Sequence, residues 1–232
     1  MKLLAIESAT LTASVAILDD DVVIAEYSVT FKKTHSQTLL PMIDEIVSML
    51  EIDLNSIDAI AISGGPGSFT GLRIGSATAK GLGLALNKPL IHVPTLDAMA
   101  YQIFGTDAII CPLMDARRGN VFTGIYSNTE EFKVLKEQCH MSLTDLCKEL
   151  EQYGKKVYFL GDGVKAYQEI LEKECNVPYS FAPAFANGPR AAVVAALSKV
   201  YYEMGKTQTA TEHVPDYLRL SQAEQQLKEK NK

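Results

Sequence analysis

A chain of 232 residues with 47% apolar and 22% charged side chains is an ordered globular protein, long enough for one large domain or two small ones. Its net charge of −6 argues against autonomous nucleic-acid binding, because an acidic surface repels phosphates. Cys111, Cys139, Cys147 and Cys175 form no CxxC, which points to reduced thiols in a cytoplasmic protein, and no apolar run reaches the length of a membrane span.

The start, MKLLAIESATLTASVAIL, looks like a signal peptide, but Glu7 interrupts its apolar run and the alternation that follows is strand-like. Lys2 to Ile6 therefore reads as a strand ending at Glu7, with a turn at Ser8-Ala9-Thr10 and a second strand from Ala13 to Leu18. Asp19-Asp20-Asp21 is a turn signal, and Val22 to Phe31 alternates as a third strand. A helix is expected from about Ser36 to Leu50, with Ser36 or Thr38 as its cap; the second choice would put Pro41 in the tolerant first turn. A strand at Ile57–Ile62, a glycine loop, a helix to Leu86 and a strand at Leu90–Val93 complete the first half.

The second half repeats this order. Ile109 to Met114 is an apolar run ending in an acid, Asp115, followed by the turn Ala116-Arg117-Arg118-Gly119. Strands at 120–126 and 132–138, a helix at 142–153, a strand at 157–160, a Gly-Asp-Gly turn and helices at 164–174 and 190–204 follow. A duplicated β-β-β-α-β-α unit predicts an α/β fold of two lobes with mixed sheets, 1–100 and 101–232, meeting near residues 95–107. That is the architecture of the actin-like ATPases and sugar kinases, with a cleft between the lobes.

The segment SGGPGSFTGLRIGSATAKGLGLAL, Ser63 to Leu86, raises a physical question. A glycine inside a helix costs about 1 kcal/mol relative to alanine. On a helical wheel Arg73, Ser76, Lys80 and Asn87 form a narrow polar strip, and Gly71, Gly75, Ala79 and Gly83 form a low ridge. The ridge either lies on the lobe's own sheet or meets another polypeptide. Leu39, Met42, Ile43 and Ile46 belong to a wide apolar face on the preceding helix. Excess apolar surface on both helices favours a partner interface at these eight positions. Gly64, Gly65 and Gly67 around Pro66 are expected to shape a tight turn at the helix entrance, where an anion is a secondary alternative.

The motifs LLAIESATLTASVAIL, HSQTLLP (35–41), GGPGSFTGLRIGSATAKGL (64–82), VPTLDAMA (93–100), DARRGNVF (115–122) and PDYLRL (215–220) resemble the TsaB (YeaZ) family. The resemblance covers both halves. It implies an actin-like fold and a place in the bacterial apparatus that makes threonylcarbamoyladenosine at position 37 of tRNA. It further implies partnership with a TsaD-like catalytic subunit and a TsaE-like ATPase, tRNA contact through the complex, and a homodimer when the chain is alone.

The residues offer less for catalysis. A phosphotransferase of this architecture needs tight hairpins whose N–H groups approach phosphates, and carboxylates near magnesium. Glu7, Ser8 and Thr10 form the first hairpin without glycine, and Arg117 and Arg118 stand in the second, where they could meet an anion, pair with acids or sit in solvent. Glu7 and Asp115 are metal-side remnants or simply turn formers. Gly161 and Gly163 resemble the turn that approaches adenosine in this superfamily, and are equally a common connector. No cofactor is required by these residues; weak ATP or ADP with Mg is the candidate. His35, His92, His140 and His213 form no metal-binding pair, whereas the family's catalytic subunit carries one on a helix. A GxSxG elbow is missing, so a glycoprotease-like peptidase is the weakest alternative and an active ATPase or kinase the stronger one. The expectation is a non-catalytic subunit.

Overall fold

The repeat along the chain is a repeat in space. In the computed structural model, which describes residues 1–31 and 34–218, the first half forms β1 (Lys2–Glu7), β2 (Thr12–Asp19), β3 (Val22–Thr30), α1 (His35–Met49), β4 (Ala59–Ser63), α2 (Phe69–Leu86) and β5 (Leu90–Val93). After α3 (Thr95–Tyr101) come β6 (Thr106–Asp115), β7 (Asn120–Asn128), β8 (Phe132–Ser142), α4 (Leu143–Glu151) and β9 (Val157–Leu160). The chain then continues through α5 (Asp162–Ala166), α6 (Gln168–Glu174), β10 (Tyr179–Phe181) and α7 (Ala191–Glu203).

One sheet runs β3-β2-β1-β4-β5 and the other β8-β7-β6-β9-β10, the same order twice. β1 pairs antiparallel with β2 and parallel with β4, and β6 pairs in the same two ways with β7 and β9. Parallel neighbours need crossover connections, and helices supply them. This is the duplicated, actin-like α/β fold with mixed sheets. β1 is apolar on both faces because helices cover both; Leu4 and Ile6 face α1 and α2, while Leu3 and Ala5 face α7.

The layers therefore run from α1 and α2, through the first sheet, to α7 and α3, then the second sheet, and finally α4 with α6. Between the sheets, Asp97 of α3 is 3% exposed. Its carboxylate accepts the Tyr126 hydroxyl at 2.9 Å and the Tyr201 hydroxyl at 2.7 Å. Burial raises its pKa, and the two phenols pull it back.

Several boundaries differ from those read in the sequence. The cut at residue 100 does not divide the packing, because α7 returns to cover the first sheet with Ala191, Val194, Ala195 and Leu197. Helix α3 falls where only a boundary was expected; TLDAMAY is too short for a helical period to show. The helix expected at 164–174 is broken at Tyr167 into α5 and α6. Helix α1 starts at His35 with Thr34 at its cap position and no side-chain cap bond, so neither Ser36 nor Thr38 caps it and Pro41 lies inside the helix. Of the segment 215–220, Arg219 and Leu220 lie outside the described residues.

Candidate functional site: the interlobe cleft and its hairpins

A cleft of about 610 Å³ opens between the lobes. Thr10 and Leu11 from the β1–β2 hairpin, His35 and Ser36 from α1, and Ser68 and Thr70 at the entrance of α2 line one side. Asp115, Phe122 and Asp162 line the other. The walls are hydroxyl-rich on the first lobe and acidic on the second.

The two hairpins share one local device. Glu7 ends β1 and its Oε1 accepts the Ala9 N–H at 2.6 Å; Asp115 ends β6 and its Oδ1 accepts the Arg117 N–H at 2.7 Å. Both acids thus act as turn formers, one of the two roles open to them in the sequence. Their surroundings differ. Glu7 is fully buried, and burial raises its carboxyl to about 7 against the opposing Ala9 N–H and Ser63 hydroxyl. Asp115 keeps 17% of its side chain exposed, takes the Tyr167 hydroxyl and pairs with Arg117 at 3.2 Å.

Packing explains the burial of Glu7. The loop before α2 and the first turns of α2 lie directly on the hairpin, and Ser68 donates its N–H to the Ala9 carbonyl at 2.6 Å. Side chains at Gly67 and Gly71 would come within 2.2 Å of the Ala9 and Ser8 carbonyl oxygens, and one at Gly75 within 2.0 Å of Ser8 Oγ. Ser68 caps α2 by accepting the Gly71 N–H at 3.3 Å. The helical glycines therefore serve close approach within the lobe.

This corrects the interface residues. Gly71, Gly75, Ala79 and Gly83 are buried against the lobe's own core, and Leu39, Met42, Ile43 and Ile46 are at most 5% exposed in the same layer. The outward face of α2 instead carries Ala77, Gly81, Leu84 and Ala85, and a side chain at Gly81 would meet nothing within 4 Å. On α1 the outward residues include Leu40 and Met49, 54% and 74% exposed. The sequence showed two apolar faces per helix; their assignment needed the sheet.

The residues expected at a nucleotide or anion site fall in different surroundings. Thr10 lines the cleft, but Ser8 is buried beside Glu7 under α2. Arg117 and Arg118 sit exposed in left-handed conformation, φ 71° and 56°, on the second hairpin. Gly161 and Gly163 pack on β6, where side chains would approach the Leu113 carbonyl oxygen to 2.1 and 2.9 Å. The residue between them, Asp162, was passed over in the sequence. Its carboxylate accepts the Asp115 N–H at 3.1 Å; burial raises its pKa and that bond opposes the rise. An acid close to the end of a strand is its signal: Asp162 follows β9 by one glycine, where Glu7 and Asp115 end β1 and β6. Among the described residues no group of three or more His, Cys, Asp or Glu side chains is placed to hold a metal ion.

Comparison with known proteins places this geometry. Residues 26–227 match the family model described as TsaD: tRNA N6-adenosine threonylcarbamoyltransferase. The chain is 33% identical to the tRNA threonylcarbamoyladenosine biosynthesis protein TsaB of Bacillus subtilis, over 97% of this chain and 96% of that protein. It is 32% identical to TsaB of Escherichia coli, over 94% and 95% of the two chains. The solved structure of YeaZ from Pseudomonas aeruginosa superposes with a TM-score of 0.79 at 25% identity, covering 94% of this chain and 99% of that one. The chain belongs to the TsaB (YeaZ) family of tRNA threonylcarbamoyladenosine biosynthesis proteins.

Proposed function

We propose that this chain is a non-catalytic subunit of the assembly that forms threonylcarbamoyladenosine at position 37 of tRNA, pairing with a TsaD-like catalytic subunit through the outer surface of α1 and α2. A TsaE-like ATPase completes the assembly, and tRNA engages the complex and not this chain alone. Without its partner the same surface pairs two copies of the chain in the cytoplasm, since a two-fold dimer uses one patch on both subunits. The observation that carries the non-catalytic reading is the fate of the first hairpin. Its carboxylate, Glu7, is sealed under α2, and its Ser8 and Ala9 carbonyl oxygens face Gly71 and Gly67. A metal-bound phosphate would need that carboxylate and the hairpin's N–H groups in the open cleft.

The partner surface follows from what remains exposed: Leu40 and Met49 on α1 and the low ridge Ala77, Gly81 and Ala85 with Leu84 on α2. Small residues at four-residue spacing allow another helix to approach closely, with the flanking large side chains packing beside them. The test is Gly81→Leu. The variant should keep the wild-type melting temperature, lose a TsaD-like protein in pull-down and run as a monomer. A folded Gly81→Leu protein that still captures TsaD sinks the assignment of this face. Tight Mg-ATP turnover by the purified chain would instead favour the kinase reading.

A further inference from the structure

The described C-terminal residues return to the first lobe after α7. Gln208 and Leu90 exchange backbone hydrogen bonds of 2.8 Å in both directions. Lys80 Nζ donates to the His213 carbonyl at 3.0 Å, and the Asp216 N–H donates to the Gly64 carbonyl at 2.7 Å. The Tyr217 ring packs on Phe69 at 4.7 Å, and Arg73 Nε donates to the Tyr217 hydroxyl at 3.4 Å. The polar strip of α2 that contains Arg73 and Lys80 is thus the bed of a strap, residues 208–217.

At its far end the strap reaches both lobes. Asp216 Oδ2 lies 3.0 Å from His92 Nε2, on β5 of the first sheet, and accepts Gln138 Nε2 at 3.0 Å, from β8 of the second. Asp97 does the same inside the molecule, gripping Tyr126 of β7 in the second sheet and Tyr201 of α7, which packs on the first. Two carboxylates therefore each hold groups from both sides of the lobe boundary.

We propose that Asp97 and Asp216 staple the lobes into one body, so that the width of the cleft is set by the chain's own strap and not by closure around a ligand. Closure in two-lobed proteins is a rotation of one lobe against the other about a hinge. Such a rotation would separate Tyr126 from Asp97 and Gln138 from Asp216, leaving the buried Tyr126 hydroxyl unpaired and each carboxylate with one of its two side-chain partners. The two staples are unequal. Asp97 is sealed, whereas the Asp216 side chain is 40% exposed, and around it the buried atoms His92 Nδ1, His213 Nε2 and Gln138 Oε1 find no partner among the described residues. The strap is the fastening that releases first.

The test reads the distance across the cleft. Spin labels are carried on unnatural residues replacing Leu11 and Arg118, exposed positions on the two hairpins, so that the native cysteines stay untouched. The full-length protein should give one narrow distance distribution, unchanged by Mg-ATP. Tyr126→Phe with Gln138→Ala, which removes the second lobe's donor to each carboxylate, should add a second population at a different distance. Leu146→Ala, a core truncation within the second lobe, should destabilise the protein and keep the distribution narrow. If the double variant does not fold, Gln138→Ala alone should speed hydrogen exchange of the Asp216 amide and leave α4 unchanged. A wild-type distribution that shifts with Mg-ATP, a double variant as narrow as wild type, or unaltered Asp216 exchange in Gln138→Ala each overturns the proposal.

Discussion

The two lobes run the same chain order into the same sheet, yet their first hairpins end in opposite states. In the first lobe an 18-residue helix, α2, lies on the hairpin through glycines, and Glu7 vanishes beneath it. In the second, the corresponding helix is broken into α5 and α6, and Asp115 stays at the cleft with Asp162 and Tyr167 as partners. Both lobes use glycine to bring a helix close to the first strand, on Ser8 just beyond β1 in one and on Leu113 within β6 in the other. The difference lies in helix length and continuity. A long helix seals its hairpin, and a broken one leaves room for a polar cleft wall.

The largest expected effect tests the seal. Gly75→Leu forces a side chain into Ser8 and Ile62 of β4, and should cost about 3 kcal/mol or more, the upper end for overpacked cores. Thermal unfolding measures it; a variant as stable as wild type would show that α2 does not press on the hairpin.

The second test is electrostatic. With its pKa raised by burial from the ordinary 4.5 to about 7, Glu7 holds its proton more tightly in the native state. The associated stability is fully present below the unfolded pKa and is lost as pH rises through about 7. The displacement corresponds to about 3 kcal/mol. His213, pushed down to about 4 mainly by burial, works in the opposite direction over much of the same window. The informative quantity is therefore the difference between proteins. Glu7→Gln should gain stability relative to wild type by about 3 kcal/mol between pH 4.5 and 7, and a flat difference across that window refutes a sealed carboxyl.

Two smaller effects sharpen the contrast. Gly81→Ala, on the open face of α2, should raise stability by about 1 kcal/mol from helix propensity; a loss would mean that the face is already packed. Arg117→Ala removes a largely exposed partner of Asp115 and should change stability by less than about 1 kcal/mol. A larger loss in chemical denaturation would mean that the second hairpin is as tightly held as the first.

How much of this was visible along the chain varies with the range of the interaction. The duplicated order, the acids ending β1 and β6, and every strand but the short edge strand β10 follow from local alternation and turn residues, to within a few residues at their ends. Which face of α1 and α2 points outward does not follow from the sequence. Both helices carry more apolar surface than one core needs, which points as readily to Leu39, Met42, Ile43, Ile46 and the ridge from Gly71 to Gly83 as to the opposite face; a wheel cannot say which apolar face meets the sheet. Asp97 was hidden for a related reason. A lone acid in TLDAMAY has no meaning until β7 and α7 bring Tyr126 and Tyr201 to it from 29 and 104 residues away.

The sequence by itself determined the family, the two-lobe repeat and the presence of a glycine-rich helix, because period, turn chemistry and motif spacing are properties of neighbouring residues. Only the tertiary structure decided that the glycine ridge faces Ser8, that Glu7 is sealed while Asp115 is not, and that residues 208–217 bind back across α2 to both lobes. Those outcomes depend on which surfaces meet across the layers, and burial and close approach are set by the assembled packing.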